Sequence, residues 1–84
     1  MARLIYLGRF ADLAGKREEE ATLPADARTL AGLKSWLARR DPALGEALAH
    51  ARAQIAVNQE IVRDGAHRLG DGDEIAFLPP MSGG

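Results

Sequence analysis

The sequence predicts an α+β domain: a mixed sheet of four or five strands, covered on one face by one main helix. Three observations carry this prediction. Only one segment, Thr29 to Arg40, has helical periodicity over several turns. Two β-type segments precede it and three follow it. The first and last of these are apolar on both parities, which suits neighbouring central strands. A chain of 84 residues has room for one such domain and no more.

Each element has a local reason. Arg3 to Leu7 reads as the first strand, and Arg9 to Ala14 as a short helix closed by Gly15. Arg17 to Leu23 is a second strand. Its Glu18-Glu19-Glu20 run suits a sheet edge, where charge blocks pairing with other chains, and predicts a solvated face. Pro24 to Arg28 is a connector, and Thr29 is an N-cap for the main helix. Leu30, Leu33, Trp36 and Leu37 share one arc of that helix, so Trp36 reads as an aromatic at the edge of the core. Arg39 and Arg40 complement the helix dipole at its end, and Asp41-Pro42 stops it. A second short helix runs from Pro42 to His50. Gln54–Val57 and Glu60–Arg63 flank Asn58-Gln59, the pattern of a tight hairpin. Gly70 to Asp73 is a turn, and Glu74 to Leu78 is the final strand.

This order is that of the β-grasp. Strand parity then sorts the side chains. Leu4, Tyr6, Ile75 and Phe77 are expected under the helix, whereas Ile5, Leu7, Ala76 and Leu78 face away, with Ile61 joining them. An apolar patch on an uncovered face marks a binding surface. The domain is expected to span residues 1–78, with 79–84 as an extended tail ending in Gly-Gly.

Composition removes many function classes. Eleven basic residues against twelve acidic ones, scattered along the chain, do not make a nucleic-acid binder. No cysteine means no thiol nucleophile, no disulfide and no cysteine-based metal site. The apolar run Leu4–Leu7 is too short for a membrane span or a signal peptide, so a soluble, cytoplasmic protein is expected. His50 and His67 lack a third partner and read as surface residues, not ligands or bases. The Gly-Asp-Gly-Asp run lacks the lysine and following helix of a phosphate loop, and the spacing of a calcium loop. No bound cofactor or metal is expected.

The tail is what remains. Pro79-Pro80 stiffens the exit from a central strand. The six residues Pro79, Pro80, Met81, Ser82, Gly83 and Gly84 reach up to ~20 Å from the sheet at ~3.3–3.6 Å per residue. Gly83 and Gly84 fit a tunnel too narrow for a Cβ, and what they deliver is the carboxylate of Gly84. A free carboxylate is a poor electrophile. Acyl transfer from it requires activation, most simply to an acyl adenylate, and then attack by sulfide, a thiol or an amine. This chain has neither a nucleotide site nor a thiol, so other proteins must supply both.

At these residues the sequence resembles the small subunits of molybdopterin synthase, among the ubiquitin-like sulfur carriers. The segments "LIYLGRFADLAG", "AVNQEIV" and "LGDGDEIAFLPPMSGG" carry the likeness, which spans the whole chain. The resemblance implies that an E1-like adenylating enzyme uses ATP to activate Gly84, that a sulfurtransferase system makes its thiocarboxylate, and that the tail enters the large synthase subunit. There sulfur passes to precursor Z. It also implies a heterotetramer of two small and two large subunits, and a contact patch at Leu7, Ile61 and Leu78. Leu78 stands where the family often has an aromatic, and Met81 where it has a small branched residue. Carriers for tRNA thiolation, cysteine synthesis or thiamine synthesis, and ubiquitin-like protein modifiers, share the fold and ending. They stay open as alternatives, as does a plain binding module.

Overall fold

In the computed structural model, residues 1–80 are described. The elements are β1 (Ala2–Tyr6), α1 (Arg9–Ala14), β2 (Glu18–Ala21), a single 3-10 turn (Ala25–Ala27), α2 (Leu30–Arg40), α3 (Pro42–Leu48), β3 (Gln54–Val57), β4 (Glu60–Val62) and β5 (Glu74–Leu78). The strands form one five-stranded sheet in the order β2-β1-β5-β3-β4. β1 and β5 pair in parallel at its centre, and every other pairing is antiparallel. This is the β-grasp, with β2 at the edge that its acidic run predicts.

One layer of helices covers one face of this sheet. From below come Leu4, Tyr6, Ile55, Val57, Ile75 and Phe77, and from above Leu30, Leu33, Leu37, Leu44 and Leu48. Tyr6 and Phe77 stack at 5.3 Å between ring centroids, an offset aromatic pair that ties the two central strands together. Phe10 of α1 closes one end of the core and Leu69 belongs to it as well. Among the described residues no polar or charged side chain is fully buried.

Local chemistry sets the element ends. The Thr29 hydroxyl accepts from the Gly32 N–H at 3.1 Å, the predicted N-cap. Asp41 does more than stop a helix. Its N–H donates to the Leu37 carbonyl and its carboxylate accepts from the Leu44 N–H, so one residue ends α2 and starts α3. That double cap lets the two helices turn sharply, and a Cβ on Gly45 would collide with Ala38 across their crossing. The connector before α2 contains the 3-10 turn, which has no periodicity to betray it. Asn58 and Gln59 both adopt positive φ (50° and 73°), as a two-residue hairpin of this hand requires.

The expected solvated face of β2 is corrected at one position. Glu19 lies opposite Leu4, on the helix side of the edge strand. It is mostly covered and accepts from Arg40 and Lys16. Arg40 in turn lies over the Trp36 ring at 4.7 Å, so the edge strand is latched to the end of α2. Burial opposes ionisation of Glu19, but the bonds from Arg40 and Lys16 outweigh it and hold its carboxyl below the usual range.

Candidate functional site

The face of the sheet that no helix covers is apolar. Ile5 lies opposite Ala76, Ala76 opposite Ala56, and Ala56 opposite Ile61. Four strands therefore contribute one transverse row. Toward the end where the chain leaves the sheet, Leu7 and Leu78 extend it. The Leu7 N–H donates to the Phe77 carbonyl at 3.2 Å, so the backbone still follows β5 after β1 has ended. Leu7 is 41% exposed and Ile61 46%, the two most exposed large apolar residues after Met1 among the described residues. On the β2 side the row meets Glu18, which is ion-paired with Arg3. The patch is therefore bounded by charge along one margin.

The chain leaves the sheet at the end marked by Leu7 and Leu78, along a path set by Pro79 and Pro80. Pro79 and Pro80 are both half-buried. Gly8, at φ 56°, sits so close that a Cβ there would lie 3.1 Å from Pro79 Cγ. Only glycine combines that backbone angle with that approach. Pro80 lines a groove of about 480 Å³ whose other walls include Phe10, Leu13, Ala43 and Ala47. The root of the tail thus lies with the apolar sheet face on one side and the α1–α3 groove on the other. Packing at Pro79 and Pro80 restricts the direction in which the chain can proceed.

Of the residues singled out in the sequence, Leu7, Ile61 and Leu78 lie on this uncovered face, and Pro79 and Pro80 stand at its rim. Met81, Ser82, Gly83 and Gly84 lie outside the described residues. Two contributors were missed. Ala56 completes the row; its parity, opposite to Ile55 and Val57, was a usable signal. Gly8 seats Pro79, and nothing in the linear sequence pairs those two positions.

Away from the patch, the turn before β5 is locked by side chains. Asn58 donates to Asp73 at 3.0 Å and accepts from the Glu74 N–H at 2.9 Å, while Asp73 also accepts from the Gly70 N–H. The bonds from Asn58 and then Gly70 hold the Asp73 carboxyl below its ordinary value. These contacts fix the start of the strand that carries the tail. Among the described residues, no group of three His, Cys, Asp or Glu is placed to hold a metal ion. No helix is long and apolar enough to cross a membrane. What the described surface offers is recognition: an apolar face and a directed exit.

Comparison with known proteins supplies the context for that arrangement. The model of the ThiS family matches residues 4–84. The molybdopterin synthase sulfur carrier subunit of Escherichia coli is 33% identical over 84 residues, covering 100% of both chains. Among solved structures, the putative molybdopterin converting factor subunit 1 of Pyrococcus furiosus superposes with a TM-score of 0.79 at 31% identity, over 95% of this chain and 97% of that one. Subunit 1 in the complex of subunits 1 and 2 of the molybdopterin-converting factor from Helicobacter pylori shares the fold, with a TM-score of 0.67, 22% identity and coverage of 99% and 97%.

Proposed function

Because the chain belongs to the ThiS family, we propose that it is a sulfur carrier, and specifically the sulfur-donating subunit of a molybdopterin synthase. In this reading the chain is not catalytic by itself. Its Gly84 carboxylate attacks the α-phosphorus of ATP in a partner adenylating enzyme, releasing pyrophosphate and forming an acyl adenylate. A sulfurtransferase system then delivers sulfur to the carbonyl carbon, AMP leaves, and the thiocarboxylate remains. Bound in the large synthase subunit, the thiocarboxylate sulfur displaces an oxygen substituent from a side-chain carbon of precursor Z, a C–S bond forming as the C–O bond breaks and the oxygen group leaves. Hydrolysis of the resulting acyl link returns Gly84 as a carboxylate and leaves the sulfur on the pterin.

The observation that carries this reading is the full-length match to a relative named as a sulfur carrier subunit of molybdopterin synthase. The structure supports it through the placement of the tail root. An apolar face of Ile5, Leu7, Ala56, Ile61, Ala76 and Leu78 gives a partner an area to bury, and the seated prolines send the tail away from its edge. Gly83 and Gly84 present no side chain to the walls of a narrow channel. In sequence, Met81 and Ser82 separate Pro80 from the terminal Gly83-Gly84. In this reading the protein works in the cytoplasm, beside its adenylating enzyme and the large subunit.

Reconstitution tests the reading. Thiocarboxylated protein mixed with the large subunit of the same organism and precursor Z is expected to form molybdopterin, and a chain lacking Gly84 to form none. Sulfur transfer to a tRNA or a cysteine precursor, with none to precursor Z, would replace this pathway with one of its relatives.

A further inference from the structure

One cavity is lined by basic groups with no acid among them. A pocket of about 330 Å³ opens where the loop after α3 meets the start of β3 and the end of β4. Lys34, Arg52, Arg63 and His50 line it, and no carboxylate does. Arg3, Lys16, Arg28, Arg39 and Arg40 each have an acid within ion-pair distance. Lys34, Arg52 and Arg63 have none among the described residues, and neither do Arg9, Arg17 and Arg68, but the first three gather around one cavity that no carboxylate lines. Three cations held around one concavity in a chain of net charge -1 repel each other without local compensation. The Arg52 N–H donates to His50 Nδ1 at 3.0 Å, which sets the orientation of the imidazole at the rim.

The position of the pocket says what could use it. Gln54, one of its walls, lies directly opposite Leu78 on β5. Arg63 follows the last residue of β4, next to the row that ends in Ile61. Gln54 and Arg63 share the strand parity of the uncovered face, while Lys34, Leu48, Ala49, Ile55 and Val62 line the pocket from the helix side, so it opens beside the apolar face, at the end of the sheet from which the chain leaves. A protein that covers Leu78 and takes in the tail comes close to the Gln54 and Arg63 rim.

We propose that this pocket receives an acidic segment of the protein that accepts the tail, its carboxylates set among Lys34, Arg52 and Arg63. The proposal rests on the sulfur-carrier reading and adds the chemistry by which the partner is recognised. The apolar face supplies buried area; the pocket supplies orientation and electrostatic steering, so that the tail meets its channel in one register. Charges at such a margin act on association rate and salt dependence more than on buried area.

The test compares two double variants of equal net charge, R52E/R63E at the pocket and R17E/R68E away from it. Binding to the large synthase subunit of the same organism is measured by calorimetry and stopped flow at low and high salt, with melting temperature as the control for folding. R52E/R63E is expected to slow association about tenfold or more at low salt and to flatten its salt dependence, while R17E/R68E changes it by less than about threefold. If R52E/R63E fails to fold, the neutral R52Q/R63Q takes its place and a smaller loss in the same direction is expected. Equal behaviour of the two double variants would overturn the proposal and leave the carrier reading standing. Absence of binding by the unmodified protein would overturn both. Inorganic phosphate supplies a further arm. If it saturates the pocket, seen as shifts of the His50 resonances, while large-subunit binding ignores the R52E/R63E change, the site takes small anions and the partner assignment is wrong.

Discussion

The two faces of the sheet are built from the same alternation and meet opposite fates. On one face, Leu4, Tyr6, Ile55, Val57, Ile75 and Phe77 are buried beneath three helices. On the other, Ile5, Leu7, Ala56, Ile61, Ala76 and Leu78 are as apolar as a core layer but have no helix above them. The first face holds the fold together. The second adds little to the stability of the isolated chain and keeps its apolar area available for a partner. A domain of this size has few residues to spare, so leaving Leu7 and Ile61 exposed, with Ile5, Ala76 and Leu78 half-buried around a buried Ala56, points to a use in binding.

The largest expected effect breaks the covered face. Phe77→Ala removes a fully buried ring and its stacking with Tyr6, and is expected to cost about 3–5 kcal/mol, read from denaturant unfolding. Next, Leu78→Glu one position along should do the reverse. It is expected to leave unfolding within about 1 kcal/mol of the parent while weakening large-subunit binding by about 2 kcal/mol or more in calorimetry. If both changes unfold the chain equally, the distinction between the faces fails.

Acid probes two carboxyls held below their usual values, Glu19 on the covered side and Asp73 in the turn that starts β5. Glu19 and Asp73 are held as carboxylates in the folded state. Folded values below the unfolded ones mean that their contribution is present above about pH 4 and is lost as pH falls through the folded values. Unfolding followed between pH 7 and pH 2 is expected to show that decline, and Glu19→Gln to flatten it. The smallest effect lies in the β3–β4 hairpin. Gln59 holds φ 73°, which glycine tolerates without cost, so Gln59→Gly is expected to stabilise by about 1 kcal/mol, read as a rise in melting temperature.

Much of this was legible in the sequence because burial imposes a period. The strand parities of Ile5, Leu7, Ala76 and Leu78, and the arc of Leu30, Leu33 and Leu37, follow from geometry that any sheet or helix must obey. The cap at Thr29 is a local event and was equally readable. What escaped depends on contacts between distant segments. Glu19 looked like one acid in a solvated run until pairing with β1 turned it toward Arg40. Gly8 gains meaning only when Pro79 is packed on it. The cationic pocket draws Lys34, Arg52 and Arg63 from three separate segments, and no spacing rule connects them. The role proposed for the tail rests on residue types alone: proline to direct, glycine to pass, and a carboxylate to be activated.

The fate of Gly84 decides whether this protein carries sulfur. The most direct measurement is the intact mass of the protein after incubation with ATP, its adenylating enzyme and a sulfur donor. The predicted result is a species in which one terminal oxygen is replaced by sulfur, absent when Gly84 is deleted. A terminal carboxylate that stays unchanged, or a chain recovered only as amide-linked adducts to other proteins, would contradict it.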